Sequence, residues 1–267
     1  MTFLQQTLGR NYKWLYFFQY GFKASVTYRS SAIIWTLLNL LIIFCTILIW
    51  WVNIDAGSRL FDFKTIFTYY IFGSLISIGH GVHWNVSERI KSGALSQCLI
   101  TPSNVMMRSI LGDFSWWFFQ NIIQIISICL IALLGRDYLI FSSPSLVCLF
   151  ILCGVLGYLI SVFFAYGLGS LAFFLTDVHG ILDIQTEFKY FLSGKALPLN
   201  SVWFLKPLTI LPFAFTFHHP MQIYLGKYDT IQIIQTFIVG IIWCFVLWLV
   251  ARLIFKAGLK RNEAVGL

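Results

Sequence analysis

The sequence predicts an all-α integral membrane protein with six transmembrane helices, an N-terminal interfacial helix and a broken re-entrant helical hairpin before the last span. Three observations predict it. Of the 267 residues, 59% are hydrophobic and only 10% are charged, against about 45–50% and about 25% in soluble domains. Several charge-free runs reach the roughly 20 residues that a helix needs to cross a hydrocarbon core. These runs follow one another with no soluble-looking stretch of domain size between them, so residues 1–267 read as a single transmembrane domain. A soluble protein is excluded, because its surface needs far more polar side chains than this composition supplies.

The elements follow in order. Residues 1–29 mix Tyr12, Trp14, Tyr16, Phe17, Phe18, Tyr20 and Phe22 with Arg10, Lys13, Lys23 and Arg29. Aromatic rings favour the headgroup zone and long basic side chains reach out of it, so an amphipathic helix in the interface plane is expected. The alternative is an aromatic run leading into the first span. That span, residues 31–52, is free of charge. NIDAGSRLFDFK, with Asp55, Arg59, Asp62 and Lys64, turns the chain. A second span crosses back over residues 65–84, weakened by Gly73, Gly79 and Gly81. His80 and His83 near its end read as interfacial or packing residues rather than ligands.

Residues 85–109 form the longest polar interruption between the early spans. Glu88, Arg89 and Lys91 precede Gly93, then Leu95, Leu99 and Ile100, then Pro102. That order predicts one short amphipathic helix along the membrane edge, stopped by a proline turn; the alternative is an ordinary loop. The third span, 110–134, has Asp113 near its start and Gln120, Asn121 and Gln124 inside. Amides against lipid are unfavourable, so these are expected to face neighbouring helices or a cavity. The fourth span, 146–175, carries Gly154, Gly157, Gly167 and Gly169, small residues that let helices approach closely. Asp177, Asp183, Glu187 and Lys189 follow, so a crossing there must be short or shielded by protein. The last clean span, 231–255, ends in a basic tail with Lys256, Lys260 and Arg261.

Charge sets the expected orientation. The net charge of +8 would suggest nucleic acid in a soluble protein, but here it is assigned to Lys and Arg at the cytoplasmic membrane edge, with lipid rather than nucleic acid as the partner. Placing the N-terminus, residues 85–109 and the C-terminal tail on one side gathers Arg10, Lys13, Lys23, Arg29, Arg89, Lys91, Arg108, Lys256, Lys260 and Arg261, ten of the eighteen basic residues. That side is expected to be cytoplasmic. Five clean spans leave the termini on opposite faces, so both termini inside requires a sixth crossing between 176 and 228. The N-terminus lacks the pattern of a cleaved signal and is expected to be retained. Cys45, Cys129, Cys148, Cys153 and Cys244 lie in apolar runs and Cys98 lies alone, with no C-x-x-C pair, so neither a disulfide nor a metal site is predicted.

Residues 193–226, SGKALPLNSVWFLKPLTILPFAFTFHHPMQIYLG, are too interrupted for a span and too apolar for an ordinary loop. Gly194, Pro198, Pro207, Pro212 and Pro220 divide them into pieces too short to cross. After a crossing near 180–196, two helical legs, 200–210 and 212–224, are expected to dip into the outer leaflet and return, the alternative being a plain extracellular loop.

With ERIKSGALSQCLITP after the second span and FLSGKALPL followed by LPFAFTFHHPMQIYLG, the whole chain resembles the permease subunit of ABC-2 type exporters, in particular the bacterial branch of multidrug or viologen exporters. The recurrent pattern of that branch falls on Ser193, Gly194, Pro198, Leu199, Leu211, Pro212, Phe213, Pro220 and Gly226. The chain departs from it at SVWFLKP, where the next proline is Pro207. The resemblance implies no catalytic, metal or cofactor site in this chain, with ATP and Mg²⁺ bound by a dimer of cytoplasmic ABC ATPase subunits. No G-x-x-x-x-G-K-[ST] phosphate loop occurs, and SGKALPL lacks its upstream glycine and its hydroxyl residue. The resemblance further implies a coupling helix over 86–99, with Glu88, Arg89 and Lys91 as charge contacts and Leu95 and Leu99 as apolar anchors. It also implies a second copy, or a related permease, to complete the path.

Candidate path or dimer-facing residues are Asn39, Gln120, Asn121, Gln124, Gln232 and Gln235; for each, the alternative is a helix-packing hydrogen bond. The expected activity is export of an amphipathic, drug-like or lipid-like substrate across the bacterial cytoplasmic membrane. The alternative is an ion-coupled secondary transporter, for which the clean spans supply few ionisable groups beyond Asp113. A membrane hydrolase using His218, His219 and Asp229 lacks a convincing intramembrane acidic partner.

Overall fold

A computed structural model describes residues 3–55, 62–77, 81–100, 104–201 and 203–261. Among these, all regular structure is helical: α1 (Phe3–Thr27), α2 (Arg29–Asp55), α3 (Phe63–Ile76), α4 (Val82–Lys91), α5 (Leu95–Ile100), α6 (Val105–Leu134), α7 (Pro144–Gly169), α8 (His179–Leu192), α9 (His218–Tyr224) and α10 (Thr230–Leu259). Short 3-10 segments cover Arg136–Tyr138, Ser170–Phe173, Trp203–Ile210 and Pro212–Thr216. Arg59, Gly79, His80, Pro102 and the tail beyond Arg261 lie outside the described residues, as do the side chains of Arg10, Tyr12 and Lys13.

Four helices, α2, α6, α10 and α7 with its 3-10 extension, are long and apolar enough to cross a membrane. The 27 residues of α2 span about 40 Å at the α-helical rise, more than the roughly 30 Å of a hydrocarbon core. Local chemistry sets the ends of these helices. Asn104 Oδ1 accepts from the N–H groups of Met106 (3.0 Å) and Met107 (3.4 Å) at the start of α6, and Pro144 opens α7. Asp229 and Gln232 form a reciprocal capping box on α10, at 2.7 and 3.0 Å. The outward faces of α2 and α10 are rows of exposed Leu, Ile and Phe side chains, which lipid can solvate and water cannot.

Three expectations are corrected. The second span is not continuous over 65–84: α3 stops at Ile76 and α4 begins at Val82. Its physical reason is Asp113, 3% exposed, whose Oδ1 accepts the N–H of Gly81 at 2.8 Å. A carboxylate from another helix thereby satisfies backbone that the broken helix cannot. The short helix expected over 86–99 is two helices, α4 and α5, because Gly93 adopts a left-handed φ of 74°, the usual conformation of a helix-ending glycine. The two legs of the broken segment are 3-10 turns followed by the short helix α9, since Pro207 and Pro212 remove the N–H groups an α-helix would need.

The helix α7 is the hub. Its small residues admit a different neighbour at successive levels: Gly154 faces Ile76, Gly157 the Phe215 carbonyl, Gly167 the Ala251 backbone and Gly169 the His83 backbone. Phe18 and Phe22 of α1 interleave with Phe114, Phe118 and Phe119 of α6 at centroid distances of 5.7–6.3 Å. Ser115 Oγ also donates to the Phe18 carbonyl at 2.9 Å, so α1 is bound along α6. At one end of the bundle Leu95, Cys98 and Val105 are buried with Phe173, Phe255 and Leu259.

Gly157→Ala is expected to destabilise the protein by about 1–3 kcal/mol, because its Cβ meets a backbone carbonyl that cannot rotate away. Gly112→Ala, with open space at the same atom, should leave stability at or above wild type. Denaturant titration of both variants in detergent tests the pair, and equal melting would refute α7 as the packing hub.

Candidate functional site

A cavity of about 600 Å³ opens between α2, α4, α6, α7 and α8. Five helices contribute to its wall, α4 through His83 and Trp84. From α2 come Trp35 and Asn39, from α6 Trp116 and Gln120, from α7 Ser161, and from α8 Glu187, Lys189 and Tyr190; Lys195 follows just beyond α8.

Polar order in this wall is a relay. Lys195 Nζ donates to Asn39 Oδ1 at 3.3 Å, Asn39 Nδ2 donates to Gln124 Oε1 at 3.3 Å, and Gln124 Nε2 donates to the Ser74 carbonyl at 3.4 Å. Lys189 Nζ donates to Ser161 Oγ. Beneath it, Asp113 Oδ2 accepts from the Tyr158 hydroxyl at 3.4 Å. Every link has a donor and an acceptor, which is what polar groups inside an apolar bundle require.

The predicted path residues divide. Asn39 and Gln120 line the cavity, and Gln124, fully buried, is reached from it through Asn39. Asn121 is turned back onto its own helix, donating to the Trp117 carbonyl at 3.0 Å. On α10, Gln232 is spent on the capping box and Gln235 is exposed, both away from the cavity. Lys189, Lys195 and Tyr190 were not anticipated as site residues. A signal was present: in α8 the apolar Ile181, Ile184, Phe188 and Phe191 are exposed, while Leu182 and Lys189, one heptad apart, face inward. The polar side of α8 points into the protein, the reverse of a soluble helix.

The predicted coupling residues also divide. Leu95 is 1% exposed and anchors α5 on the bundle. Arg89 donates to Ser109 Oγ at 3.4 Å, and Lys91 pairs with Asp177 at 3.7 Å, so both bind within the chain. Glu88, Leu99 (44%) and Ile100 (85%) are exposed.

The segment 193–226 folds back into the bundle. Tyr69 donates to the Gly194 carbonyl at 2.9 Å and Tyr70 to the Ala196 carbonyl at 3.4 Å. The His218 N–H donates to the Ser193 carbonyl at 3.0 Å. Gly194 holds a φ of 83° with Tyr69, His218 and Leu199 packed around it, so no side chain fits there. Ser193, Pro198, Leu199, Pro212 and Pro220 are buried, Leu211 and Phe213 half-buried, and Gly226, at φ 62°, turns the chain toward α10. At the departure SVWFLKP, the Ser201 N–H donates to the Pro198 carbonyl at 2.8 Å, closing the turn. His219 is held between the Tyr228 hydroxyl (2.9 Å) and the Thr209 carbonyl (2.8 Å), and Asp229 caps α10, so both serve the fold. Among the described residues no His, Cys, Asp and Glu side chains cluster as a metal site.

A helical bundle with four helices long and apolar enough to cross a membrane among its described residues defines the class of multi-pass membrane proteins. Within that class the match is specific: the family model of the ABC-2 family transporter proteins covers residues 33–266, and the chain belongs to this family. Membership implies an ABC ATPase as partner. No match was found among curated proteins or solved structures.

Two outcomes test this geometry. Gln124→Ala strands Asn39 Nδ2 and the Ser74 carbonyl and is expected to lower stability by about 1–3 kcal/mol, whereas exposed Gln235→Ala should stay within about 0.5 kcal/mol; equal thermal stability in detergent would argue against the relay. The His179 N–H, bonded at 2.9 Å, and then Lys91 hold the Asp177 carboxyl below its ordinary value of 3.8. A depressed carboxylate stabilises the fold above its unfolded value and loses that contribution as pH falls through the folded one. The α4–α8 tether is therefore intact at neutral pH, and the protection factor of the His179 amide should fall on acidification below about pH 4. Asp177→Asn should remove that pH dependence, as read by hydrogen exchange.

Proposed function

We propose that the protein is the membrane-spanning subunit of an ATP-driven exporter, moving an amphipathic, drug-like or lipid-like substrate across the bacterial cytoplasmic membrane. The observation that carries this reading is a cavity of about 600 Å³, largely apolar with a few polar and charged side chains, in an ABC-2 family bundle. ATP and Mg²⁺ are bound by the partner ATPase dimer, and a second permease copy or a related permease completes the path.

Six crossings with both termini cytoplasmic agree with the tertiary contacts. The Lys91–Asp177 pair sets the start of α8 beside the end of α4, and the Tyr69–Gly194 bond sets the chain just past α8 at the middle of α3. The 14 residues of α8 rise about 21 Å, and 193–217 complete the passage as a re-entrant hairpin shaping the external end. Arg89, Lys91, Arg108, Lys256, Lys260 and Arg261 then fall at the cytoplasmic edge. There α4 and α5 are the coupling segment. Leu95 fixes α5 to α6 and α10, while Glu88, Leu99 and Ile100 offer the ATPase an apolar ridge with one charge. Motion of the ATPase is thereby transmitted to the helices that wall the cavity.

The ion-coupled alternative rests on the buried Asp113, but that carboxylate already receives the Gly81 N–H and the Tyr158 hydroxyl. In vesicles holding the protein with its co-purified ATPase, ATP is expected to drive export of an amphipathic dye. The double variant Leu99→Glu/Ile100→Glu should cut that flux at least tenfold while melting as wild type. Flux that ignores ATP and follows an imposed proton gradient would establish the ion-coupled reading instead.

A further inference from the structure

We infer that the cavity selects an anionic amphiphile, with Lys189 and Lys195 as the counter-charges for its phosphate, sulfate or carboxylate headgroup. This rests on the transport reading of the cavity and adds the sign of charge and the residues that read it. Both lysines are half-buried and line the same cavity. Their hydrogen-bond acceptors are neutral: Ser161 Oγ for Lys189, and Asn39 Oδ1 for Lys195, which also lies 5.8 Å from the Tyr190 ring centroid. Among the described residues neither ammonium has a carboxylate within 4.0 Å.

The opposing charges are accounted for. Glu187 is the carboxylate on the described wall; it is exposed and pairs with neither lysine. Asp113 lies behind the wall, near enough to attract Lys189 but hydrogen-bonded to Gly81 and Tyr158 rather than to the ammonium. A cation facing an apolar bundle with only neutral acceptors is unfavourable, and loss of one partner of a buried pair is strongly so. An incoming anion supplies the missing partner through charge-assisted hydrogen bonds. Two ammonium groups, one against α7 and one against α2, share the cavity with Trp35, Trp84, Trp116, Leu38 and Ile42, so it offers both a headgroup seat and a place for an apolar chain. A cationic amphiphile meets repulsion at the same seat, which gives selectivity by sign.

The charge continues outside the cavity. A second pocket, of about 440 Å³, lies between α1, α4 and α6 and shares Trp116 with the first. Its cations are Arg89 and Arg108, set among Tyr16, Tyr20 and Tyr28. Arg108 stands 5.1 Å over the Phe17 ring, and Arg89 bonds to the neutral Ser109 hydroxyl. Two arginines thus stand on the far side of Trp116 from the cavity that holds the lysines.

The test uses the full-length protein in a non-ionic detergent with three probes: 11-bromoundecyl phosphate, 11-bromoundecyltrimethylammonium and inorganic phosphate. Bromine on the chain quenches the tryptophan fluorescence of the cavity. The phosphate amphiphile is expected to quench saturably, at least tenfold more tightly than the ammonium amphiphile. Lys189→Gln/Lys195→Gln should weaken it at least tenfold, while Lys189→Arg/Lys195→Arg retains it. Equal affinity for the two amphiphiles in the wild-type protein would overturn the inference without recourse to any variant. So would unchanged binding in the glutamine variant, or inorganic phosphate displacing the probe as well as the chain-bearing phosphate does, which would mark a free-anion site. Binding here needs neither ATP nor the ATPase. Lysine-dependent binding without ATP-driven flux would defeat the exporter and leave this inference standing, whereas ATP-driven export of a cationic amphiphile indifferent to the glutamine variant would do the reverse.

Discussion

Backbone polar groups inside a hydrocarbon medium must find their partners within the protein, and this requirement explains where the bundle is regular and where it is not. The four long helices satisfy themselves by intrahelical bonds, and α2 and α10 can face lipid along most of their length. Each interrupted stretch is instead held by a side chain from elsewhere. Asp113 takes the N–H of Gly81 where α3 gives way to α4, Tyr69 and Tyr70 hold the carbonyls of Gly194 and Ala196, and Trp243 Nε1 donates to the Ile210 carbonyl at 2.8 Å. At these points the irregular backbone is held by side chains of neighbouring elements.

Such cover needs close approach, and α7 supplies it. A glycine at each of several levels lets α4, α10 and the hairpin bring backbone against one helix, and gives the Ile76 side chain of α3 a seat at Gly154. The hairpin shows the result. His218, Met221, Ile223 and Phe215 are all fully buried, although they belong to a segment with only one short α-helix. Its stability comes from insertion between α3, α7 and α10 rather than from its own hydrogen bonds. The cavity depends on the same packing, because Ser193 and Lys195 on its wall are positioned by the bonds that hold Gly194.

Much of this was legible in the sequence, for physical reasons that also explain what was not. Long apolar runs with at most one charge located α2, α6, α7 and α10 to within a few residues, since their length and composition suit a helix in a bilayer. The break between α3 and α4 was not legible as such, because its cause, Asp113, lies 32 residues away in the chain. Gly93 was visible, but its left-handed φ depends on the tertiary seating of Leu95. The prolines of 193–226 announced interruption correctly while leaving open which turns would replace a helix. Within the site, the amides of α2 and α6 were legible because amides avoid lipid. Lys189 was read as an obstacle to crossing, when the inverted polarity of α8 makes it part of the wall.

That inversion unites fold and chemistry. A helix with Lys189 turned inward and Ile184, Phe188 and Phe191 turned outward is poorly suited to stand alone in water or in lipid, so α8 needs polar partners on one side and an apolar surround on the other. The interior it faces is the cavity, and the surround is whatever covers Ile184, Phe188 and Phe191. Lys91 and Asp177 hold its start to α4, and Gly194 and Tyr69 hold the chain beyond its end to α3. Movement of α4 therefore reaches the first turn of α8 directly, and with it the lysines that follow on the same stretch of chain. The Lys91–Asp177 contact at 3.7 Å and the lysines of the cavity wall lie at the two ends of one stretch of chain, 177–195.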